Sequence, residues 1–182
     1  MKAFITGSSR GQLHWELERT VPDDVEIVDA GERLDISDDK AVQSLIASLK
    51  PDVIINAAAY TAVDKAESEP EQAMAVNAAA VESLARASIA SGAHLLHVST
   101  DFVFGQGRGV PFPEDAEVAP VSVYGKTKLA GEQVLRRLMP DTSLCIRTAW
   151  VYSSHGNNFV KTMLRLMNER GEIGVIADQI GS

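Results

Sequence analysis

Residues 2–17 read KAFITGSSRGQLHWEL, a short apolar run followed by a glycine-containing turn and a stretch with helical spacing. Gly7 permits a tight turn after the run, and Gly11 lets the backbone come close to a bound anion. The free N–H groups at the start of a helix favour a phosphate at that point. The segment therefore predicts a strand, a phosphate-binding turn and a helix, with a plain strand-to-helix turn as the alternative.

Short apolar runs alternate with helical segments along the rest of the chain, a pattern typical of βαβ units. The expected strands are residues 2–6, 25–28, 52–56, 94–99 and 144–148, with a sixth considered at 174–177. The expected helices are residues 12–19, 38–49 with Ser37 as N-cap, 71–90 between Pro70 and Gly92, 124–139 and 158–169. The predicted fold class is α/β, a doubly wound parallel sheet.

Composition limits the kinds of partner. The 182 residues, 45% hydrophobic, suffice for one domain with a real core. A net charge of −8, with 17 Lys and Arg that form no basic cluster, disfavours nucleic acid. No signal-peptide core and no apolar stretch near ~18 residues is present, so we expect a cytoplasmic protein without membrane contact. The single Cys145 is expected to be a buried, inert thiol, and the four scattered histidines predict no metal site.

Polar residues follow the predicted strands, where doubly wound folds bind their ligands. Asp29 lies nearest the spacing at which a carboxylate meets the adenosine ribose, and Asp35 is the second candidate. Ala57, Ala58 and Ala59 offer small side chains along which a cofactor could lie, or a close helix-to-strand contact. The Gly- and Pro-rich loop 104–121 could border the site.

Tyr124 and Lys128 stand four residues apart in VYGKTKLAGE and share one face of a predicted helix. A free tyrosine has a pKa near ~10, so a neighbouring cation would help the phenol to exchange a proton at neutral pH. A strand end rich in serine and threonine, HVSTDFVF (97–104), lies about one crossover unit upstream. The alternative is an exposed helix that carries an unrelated Tyr and Lys.

Several stretches together resemble one known family. They are the glycine turn, LDISD (34–38), NAAAYTAVDKAESEPEQAMAVN (56–77), STDFVFGQ (99–106), APVSVYGKTKLAGE (119–132), RTAWVY (147–152), GNNFVKTML (156–164) and ADQIGS (177–182). Over nearly the whole chain they are similar to the dTDP-4-dehydrorhamnose reductases, a family of extended short-chain dehydrogenases/reductases.

The resemblance implies a Rossmann fold in which NADPH or NADH delivers hydride to the C4 carbonyl carbon of dTDP-4-dehydro-β-L-rhamnose. Tyr124 would give the proton, Thr100 would hydrogen-bond the oxygen, and Lys128 would lower the phenol pKa and bind the nicotinamide ribose. The implied cofactor contacts are Gly7, Gln12 and Leu13 at the pyrophosphate, Asp35 and Ile36 at the adenine, and Ala57, Ala58 and Ala59 along the cofactor. The implied contacts with the sugar nucleotide are Thr100, Asp101 and Trp150.

The sequence departs from the family at three points. His14 stands where a glycine normally lets the first helix pack on its strand, in a turn one residue longer than usual. Phe102 replaces the usual tyrosine of STDYVF. Family members also continue past Ser182 into a lobe that helps to enclose the sugar nucleotide. The resemblance thus implies that residues 1–182 are the NAD(P)-binding domain carrying the catalytic residues, with the substrate lobe absent or truncated.

Alternatives remain open at this stage. Asp29 would repel a 2′-phosphate whereas Arg10 and Arg33 would attract one, so NADPH and NADH are both considered. Magnesium dependence occurs in the family, but no carboxylate cage supports it here, and a homodimer is left open. Trp150 could instead be an ordinary core aromatic. The competing functions are a non-catalytic nucleotide-binding regulatory subunit and a sugar-nucleotide epimerase or dehydratase.

Overall fold

The structure is a computed structural model that describes residues 1–29, 34–105 and 111–176. Three sequence predictions fall outside these ranges in whole or in part. They concern Arg33, positions 106–110 of the long loop, and the ADQIGS segment 177–182.

Five parallel strands form one sheet in the order β2-β1-β3-β4-β5. The strands are β1 (Lys2–Thr6), β2 (Glu26–Ile27), β3 (Val53–Asn56), β4 (His94–Thr100) and β5 (Ser143–Thr148). Each coincides with a short apolar run, as expected where a strand is covered on its faces. The five predicted strands are therefore confirmed, although β2 is shorter than predicted. The sixth is wrong for residues 174–176, which form no strand, and Ala177 lies outside the described ranges.

Seven α-helices and two short turns connect these strands within the described residues. They are α1 (Gln12–Thr20), α2 (Asp39–Leu49), α3 (Val63–Ala66), α4 (Pro70–Met74), a π-helical turn (Ala75–Ala79), α5 (Ala80–Ser91), a 3₁₀ turn (Asp101–Val103), α6 (Val123–Leu138) and α7 (Phe159–Glu169). In the described part of the chain, no helix combines the length and apolar character needed to cross a membrane.

Two details of the helix predictions are corrected. The N-cap of α2 is Asp38, whose carboxylate accepts from the Ala41 N–H at 3.0 Å, because Ser37 hydrogen-bonds back to Asp35 instead. The helix predicted at residues 71–90 is divided by the π-helical turn, which changes the spacing of its side chains.

The order of the strands places helices on both faces of the sheet. The connection from β1 to β2 runs in one direction, and every later connection runs in the other. Because crossovers between parallel strands are right-handed, α1 lies on one face, whereas α2, α5 and α6 lie on the opposite face. The reversal occurs between β1 and β3, and this switch point is where doubly wound sheets form their binding crevice.

The main core lies between the sheet and the three helices α2, α5 and α6 that cover one of its faces. Phe4, Ile54 and Leu95 point toward it from three neighbouring strands and pack with Val42, Ile46, Leu84, Leu135 and Met139 of these helices and the residue that follows α6. On the opposite face, Leu144 and Ile146 of β5 remain exposed. At β5, the sheet is therefore much better covered on the side of α2, α5 and α6 than on the other side.

Gly92 ends α5 in the left-handed conformation, with φ of 75°. A Cβ at this position would meet no atom within 4 Å, so Gly92→Ala tests conformational strain alone. We expect a loss of about 1 kcal/mol in the free energy of unfolding, measured by urea denaturation. Gly171→Ala is the matched control, because Gly171 also has open space but is not in the left-handed region. Equal stabilities of the two variants would contradict this expectation.

Candidate functional site

A large cavity of about 1080 Å³ opens at the carboxyl edge of the sheet. It begins at the glycine turn after β1, runs past the segment that follows β3, and reaches the ends of β4 and β5. Its volume lies at the upper end of the range for small-molecule sites, about 300–1,000 Å³. The cavity can therefore take a large ligand, or two ligands side by side.

The turn after β1 is built for a close backbone approach. Gly7 has φ of 96°, and a Cβ there would lie 3.3 Å from the backbone nitrogen of Ala58. The Gly11 N–H donates to the Ser8 carbonyl oxygen at 2.7 Å, and α1 begins at the next residue, Gln12. The first N–H groups of α1 are consequently presented at the cavity, where they can receive an anionic group.

The cavity brings together nearly all of the site residues predicted from the sequence. The predicted residues that line it are Gly7, Gly11, Gln12, Leu13, Asp35, Ile36, Ala57, Ala58, Ala59, Thr100, Asp101, Tyr124, Lys128 and Trp150.

Asp29 is the exception, since it is exposed and does not line the cavity. The register pairs Lys2 with Glu26 and Ala3 with Ile27, so Asp29 falls level with Ile5, short of the end of β1. Asp35 lines the cavity instead, and its Oδ1 accepts hydrogen bonds from the backbone and side chain of Ser37 at 2.9 and 2.7 Å. Of the two acids considered, Asp35 is thus the one at the cavity.

Tyr124 is buried in the cavity wall at the first turn of α6. Burial raises the pKa of its phenol above the ordinary value, the neighbouring Thr100 hydroxyl acts in the opposite direction, and the Asp101 carboxylate raises it further. The Phe102 ring packs edge-on against the Tyr124 ring at 5.5 Å. The Thr100 hydroxyl itself donates to the Asp101 carboxylate at 3.1 Å. Thr100 and Tyr124 therefore lie together at the cavity without a direct hydrogen bond, and the phenol stays protonated.

Lys128 lies on the same side of α6, as its spacing from Tyr124 predicts, but its amino group has other partners. The Nζ atom donates to the Val98 carbonyl oxygen at 2.6 Å and lies 3.4 Å from Nε2 of His97. Burial lowers the pKa of Lys128 to about 8, against opposing contributions from Cys145 and Glu132. The pKa of Tyr124 is raised, chiefly by burial, and Lys128 is not among the groups that shift it. The expectation that Lys128 lowers the phenol pKa stays a prediction.

Two aromatic side chains form the outer part of the cavity wall. Trp150 is half exposed, has φ of 52°, and meets the Phe159 ring edge-on at 5.6 Å. Phe102 is similarly exposed. The alternative of Trp150 as a core aromatic is wrong, since the ring lies at the mouth of the cavity.

Helix α1 is fastened to the segment that precedes α7, a contact that the sequence did not reveal. The Trp15 and His155 rings stack at 4.6 Å, and Asn158 donates to the Gln12 side chain at 2.9 Å. His14 fits beside them, with Nε2 3.2 Å from a Glu18 carboxylate oxygen. The His14 imidazole, in the first turn of α1, therefore has room, and α1 is held over the cavity by side-chain contacts.

Asn77 is a second residue that sequence reasoning missed. It lies in the π-helical turn and is almost fully buried. Its amide accepts from the Tyr60 N–H at 2.9 Å and donates to the Tyr60 carbonyl and the Thr127 hydroxyl, each at 3.1 Å. Asn77 thus ties the segment after β3 to the helix that carries Tyr124 and Lys128. In the sequence, the signal that could have identified Asn77 was its position as an amide on the apolar face of the helix predicted at residues 71–90.

No group of three or more His, Cys, Asp or Glu side chains that could hold a metal ion occurs in residues 1–29, 34–105 and 111–176. Cys145 is partly buried, and burial raises the pKa of its thiol to about 11. At neutral pH the thiol is therefore protonated and a poor nucleophile, as the sequence predicted.

The strand order and the cavity at the switch point define a Rossmann-like, doubly wound α/β domain. Residues 1–182 match the family described as the RmlD substrate binding domain, and the chain belongs to that family. The resemblance to the dTDP-4-dehydrorhamnose reductases noted in the sequence is confirmed.

Named relatives agree in sequence and in fold. The dTDP-4-dehydrorhamnose reductase of Salmonella typhimurium is 48% identical over 187 residues, which cover 100% of this chain and 62% of the relative. The crystal structure of a dTDP-4-dehydrorhamnose reductase from Clostridium acetobutylicum matches with a TM-score of 0.91 and 42% identity, over 98% of this chain and 64% of that one. The Bacillus anthracis dTDP-4-dehydrorhamnose reductase, solved in complex with NADP, matches with a TM-score of 0.90 and 41% identity, over 98% of this chain and 63% of that one.

Proposed function

We propose that this chain supplies the cofactor-binding and catalytic part of a reductase that converts dTDP-4-dehydro-β-L-rhamnose to dTDP-β-L-rhamnose with NADPH or NADH. In this proposal residues 1–182 form one Rossmann domain of a cytoplasmic enzyme. The similar proteins named above carry the reductase name, and the chain spans about 62% of the length of the Salmonella relative.

One observation carries the proposal. Thr100, Tyr124 and Lys128 line the same cavity as the glycine turn at Gly7. Hydride transfer to a ketone places negative charge on its oxygen, so a hydrogen-bond donor and a proton donor must both face that oxygen. Thr100 and Tyr124 provide these two groups beside a turn that can hold a phosphate, and the Thr100 hydroxyl would turn from the Asp101 carboxylate to the substrate oxygen.

The residues at the cavity fit a nicotinamide dinucleotide. Gly7 leaves a cradle that a Cβ would fill, with Ala58 3.3 Å away. The alanines after β3 are the smallest side chains that a flat group could lie along, and Asp35 could accept from ribose or adenine groups. The reduced nicotinamide would supply the hydride. Arg10 and Asp35 both line the cavity. Arg10 would attract the 2′-phosphate of NADPH and Asp35 would repel it, so both cofactors stay in the proposal.

The protein groups would act as follows. The Thr100 hydroxyl donates a hydrogen bond to the C4 oxygen, and the Tyr124 phenol transfers its proton to that oxygen. The raised pKa of Tyr124 keeps the phenol protonated until negative charge develops, which is the state that a proton donor requires. Trp150 and Phe102, at the mouth, offer aromatic surface to the sugar nucleotide. Lys128 binds ribose hydroxyls from its buried position.

The test begins with binding. We expect NADPH or NADH to bind the purified chain, measured by Trp fluorescence quenching, since Trp150 lies at the cavity. Gly7→Ala is expected to weaken that binding at least tenfold, because it strains the turn and fills the cradle. Gly171→Ala, with open space around its Cβ, should bind as the parent does. Binding that is absent from the parent, or equal in the Gly7 variant, would overturn the assignment of the cofactor cradle.

Turnover is tested next by following the absorbance of the reduced cofactor with dTDP-4-dehydrorhamnose. Oxidised cofactor formed in equal amount to the product supports the reductase. Binding without turnover points either to the part of the relatives that this chain does not span or to the non-catalytic, regulatory alternative. Conversion of a sugar nucleotide without net oxidation of cofactor favours an epimerase or dehydratase.

A further inference from the structure

A row of buried polar side chains crosses the sheet from the glycine turn to Lys128. The Thr6 hydroxyl lies 2.7 Å from Asn56 Oδ1, Asn56 Nδ2 lies 3.0 Å from His97 Nδ1, and His97 Nε2 lies 3.4 Å from Lys128 Nζ. All four residues are at most 1% exposed. Buried polar groups of this kind are costly unless each is hydrogen-bonded, so the order of donors and acceptors along the row is strongly constrained.

The row follows directly from the strand register. Thr6 of β1 pairs with Asn56 of β3, and Asn56 pairs with His97 of β4. Each lies two residues beyond a core side chain, namely Phe4, Ile54 and Leu95 in turn, so the three share the face that α6 covers. Parallel pairing thus brings three polar side chains into line below the amino group of α6.

A neutral imidazole carries one N–H, and this allows two arrangements of hydrogen bonds along the row. When Lys128 is an ammonium, His97 Nε2 accepts from it and Nδ1–H donates to the amide oxygen of Asn56, whose NH₂ donates to Thr6. When Lys128 is a neutral amine, Nε2–H donates to it and Nδ1 accepts from the NH₂ of Asn56, whose oxygen accepts from the Thr6 hydroxyl. The oxygen and nitrogen of an amide have nearly the same size, so both arrangements fit the same atomic positions.

We propose that His97 is a positioning residue that senses the charge of Lys128 and transmits it through Asn56 to Thr6 at the glycine turn. With Lys128 charged, the Thr6 hydroxyl hydrogen is released from Asn56 and can donate to another acceptor at the cavity, which Thr6 lines. With Lys128 neutral, that hydrogen is held by Asn56. The charge of the Lys128 amino group therefore decides, across three strands, whether the Thr6 hydroxyl can donate a hydrogen bond at the glycine turn.

The charge of Lys128 can change within an accessible range of pH. Burial lowers its pKa to about 8, while burial and the Lys128 charge lower the pKa of His97 to about 3, so His97 stays neutral throughout. The other titratable groups near Lys128 are Cys145 on β5, whose pKa burial raises to about 11, and Glu132 on α6, which is paired with Arg147 at 2.7 Å. Lys128 is thus the group of this cluster that titrates near pH 8.

The test follows the tautomer of His97 by ¹⁵N NMR in the cofactor-free chain between about pH 6 and pH 10. We expect the Nδ1–H tautomer of His97 at the low end of this range and the Nε2–H tautomer at the high end. The change of tautomer should have the same midpoint as the titration of the Lys128 side chain, measured by ¹³C NMR. The exposed His94, on the same strand, is the control within the sample. A tautomer of His97 that stays the same, or changes at a different midpoint, would overturn the proposal.

Two variants give a second measurement. In Lys128→Met the tautomer of His97 should no longer depend on pH. In His97→Leu the pKa of Lys128 should fall by about one, because the ammonium loses an acceptor, and in His97→Gln it should recover, because the amide oxygen can accept. An unchanged pKa in His97→Leu would count against the inference. The proposed function enters only through the role of Lys128 at the site, so a chain that binds no cofactor but shows the switch would refute that function alone.

Discussion

Tyr124→Phe is expected to lower the turnover of dTDP-4-dehydrorhamnose about 100-fold to 10,000-fold, the usual contribution of a positioned proton donor. This corresponds to about 3 to 5 kcal/mol of transition-state stabilisation. The substitution removes the phenol hydroxyl and keeps the ring that packs on Phe102. The rate constant at saturating substrate should therefore fall while cofactor affinity and thermal stability stay close to those of the parent.

Tyr152→Phe is the matched control, since it removes the same hydroxyl from a side chain that is 72% exposed and does not line the cavity. Its turnover should equal that of the parent chain. The comparison uses the steady-state assay of reduced-cofactor absorbance on the same preparations. A folded Tyr124→Phe chain that turns over at the parent rate would exclude Tyr124 as the proton donor.

Gly131→Ala is expected to destabilise the fold by about 3 kcal/mol, although alanine is the better helix former by about 1 kcal/mol. Gly131 lies in α6 where this helix crosses the π-helical turn, and a Cβ there would lie 2.3 Å from the carbonyl oxygen of Asn77. A backbone atom cannot move aside as a flexible side chain can. The clash must therefore push the two helices apart. This weakens the hydrogen bond that Asn77 donates to Thr127 and disturbs the one that it accepts from the Tyr60 N–H.

The measurement is the free energy of unfolding from urea titrations followed by circular dichroism. Gly174→Ala serves as the control, because its Cβ would meet nothing within 4 Å. That variant should stay within about 0.5 kcal/mol of the parent, as is usual for surface positions. A Gly131→Ala chain as stable as the parent would show that the two helices can separate at no cost.

The strands were predictable because each is a short apolar run between turn residues, and the structure places all five close to their expected positions. The start and end of the long helix before β4 were equally clear, since Pro70 cannot donate its nitrogen and Gly92 adopts the left-handed conformation. The π-helical turn between them was not, because one additional residue in a turn changes the spacing of side chains without any special residue type.

Most of the predicted site residues line one cavity, but some of their interactions differ from those expected. Spacing placed Tyr124 and Lys128 on one side of a helix, but it could not say where a long, flexible lysine side chain ends. In the structure it reaches the Val98 carbonyl oxygen. His97 was seen only as a scattered histidine, because its neighbours Asn56 and Cys145 are distant in sequence and become adjacent through the strand register.

The choice between Asp29 and Asp35 shows the same limit. A spacing of about twenty residues from the glycine turn favoured Asp29, which would be correct if β2 ended level with β1. In the structure β2 ends earlier, and Asp35 reaches the cavity instead. Sequence separation alone cannot fix the height at which a strand ends.

The exposed face of β5 also affects how this chain behaves in solution. β5 is the last strand in the sheet order of the described residues, and Leu144 and Ile146 on it are 57% and 39% exposed. An edge strand with free backbone N–H and C=O groups and apolar side chains is a template onto which another strand can add. We therefore expect the chain to self-associate through this edge as its concentration rises.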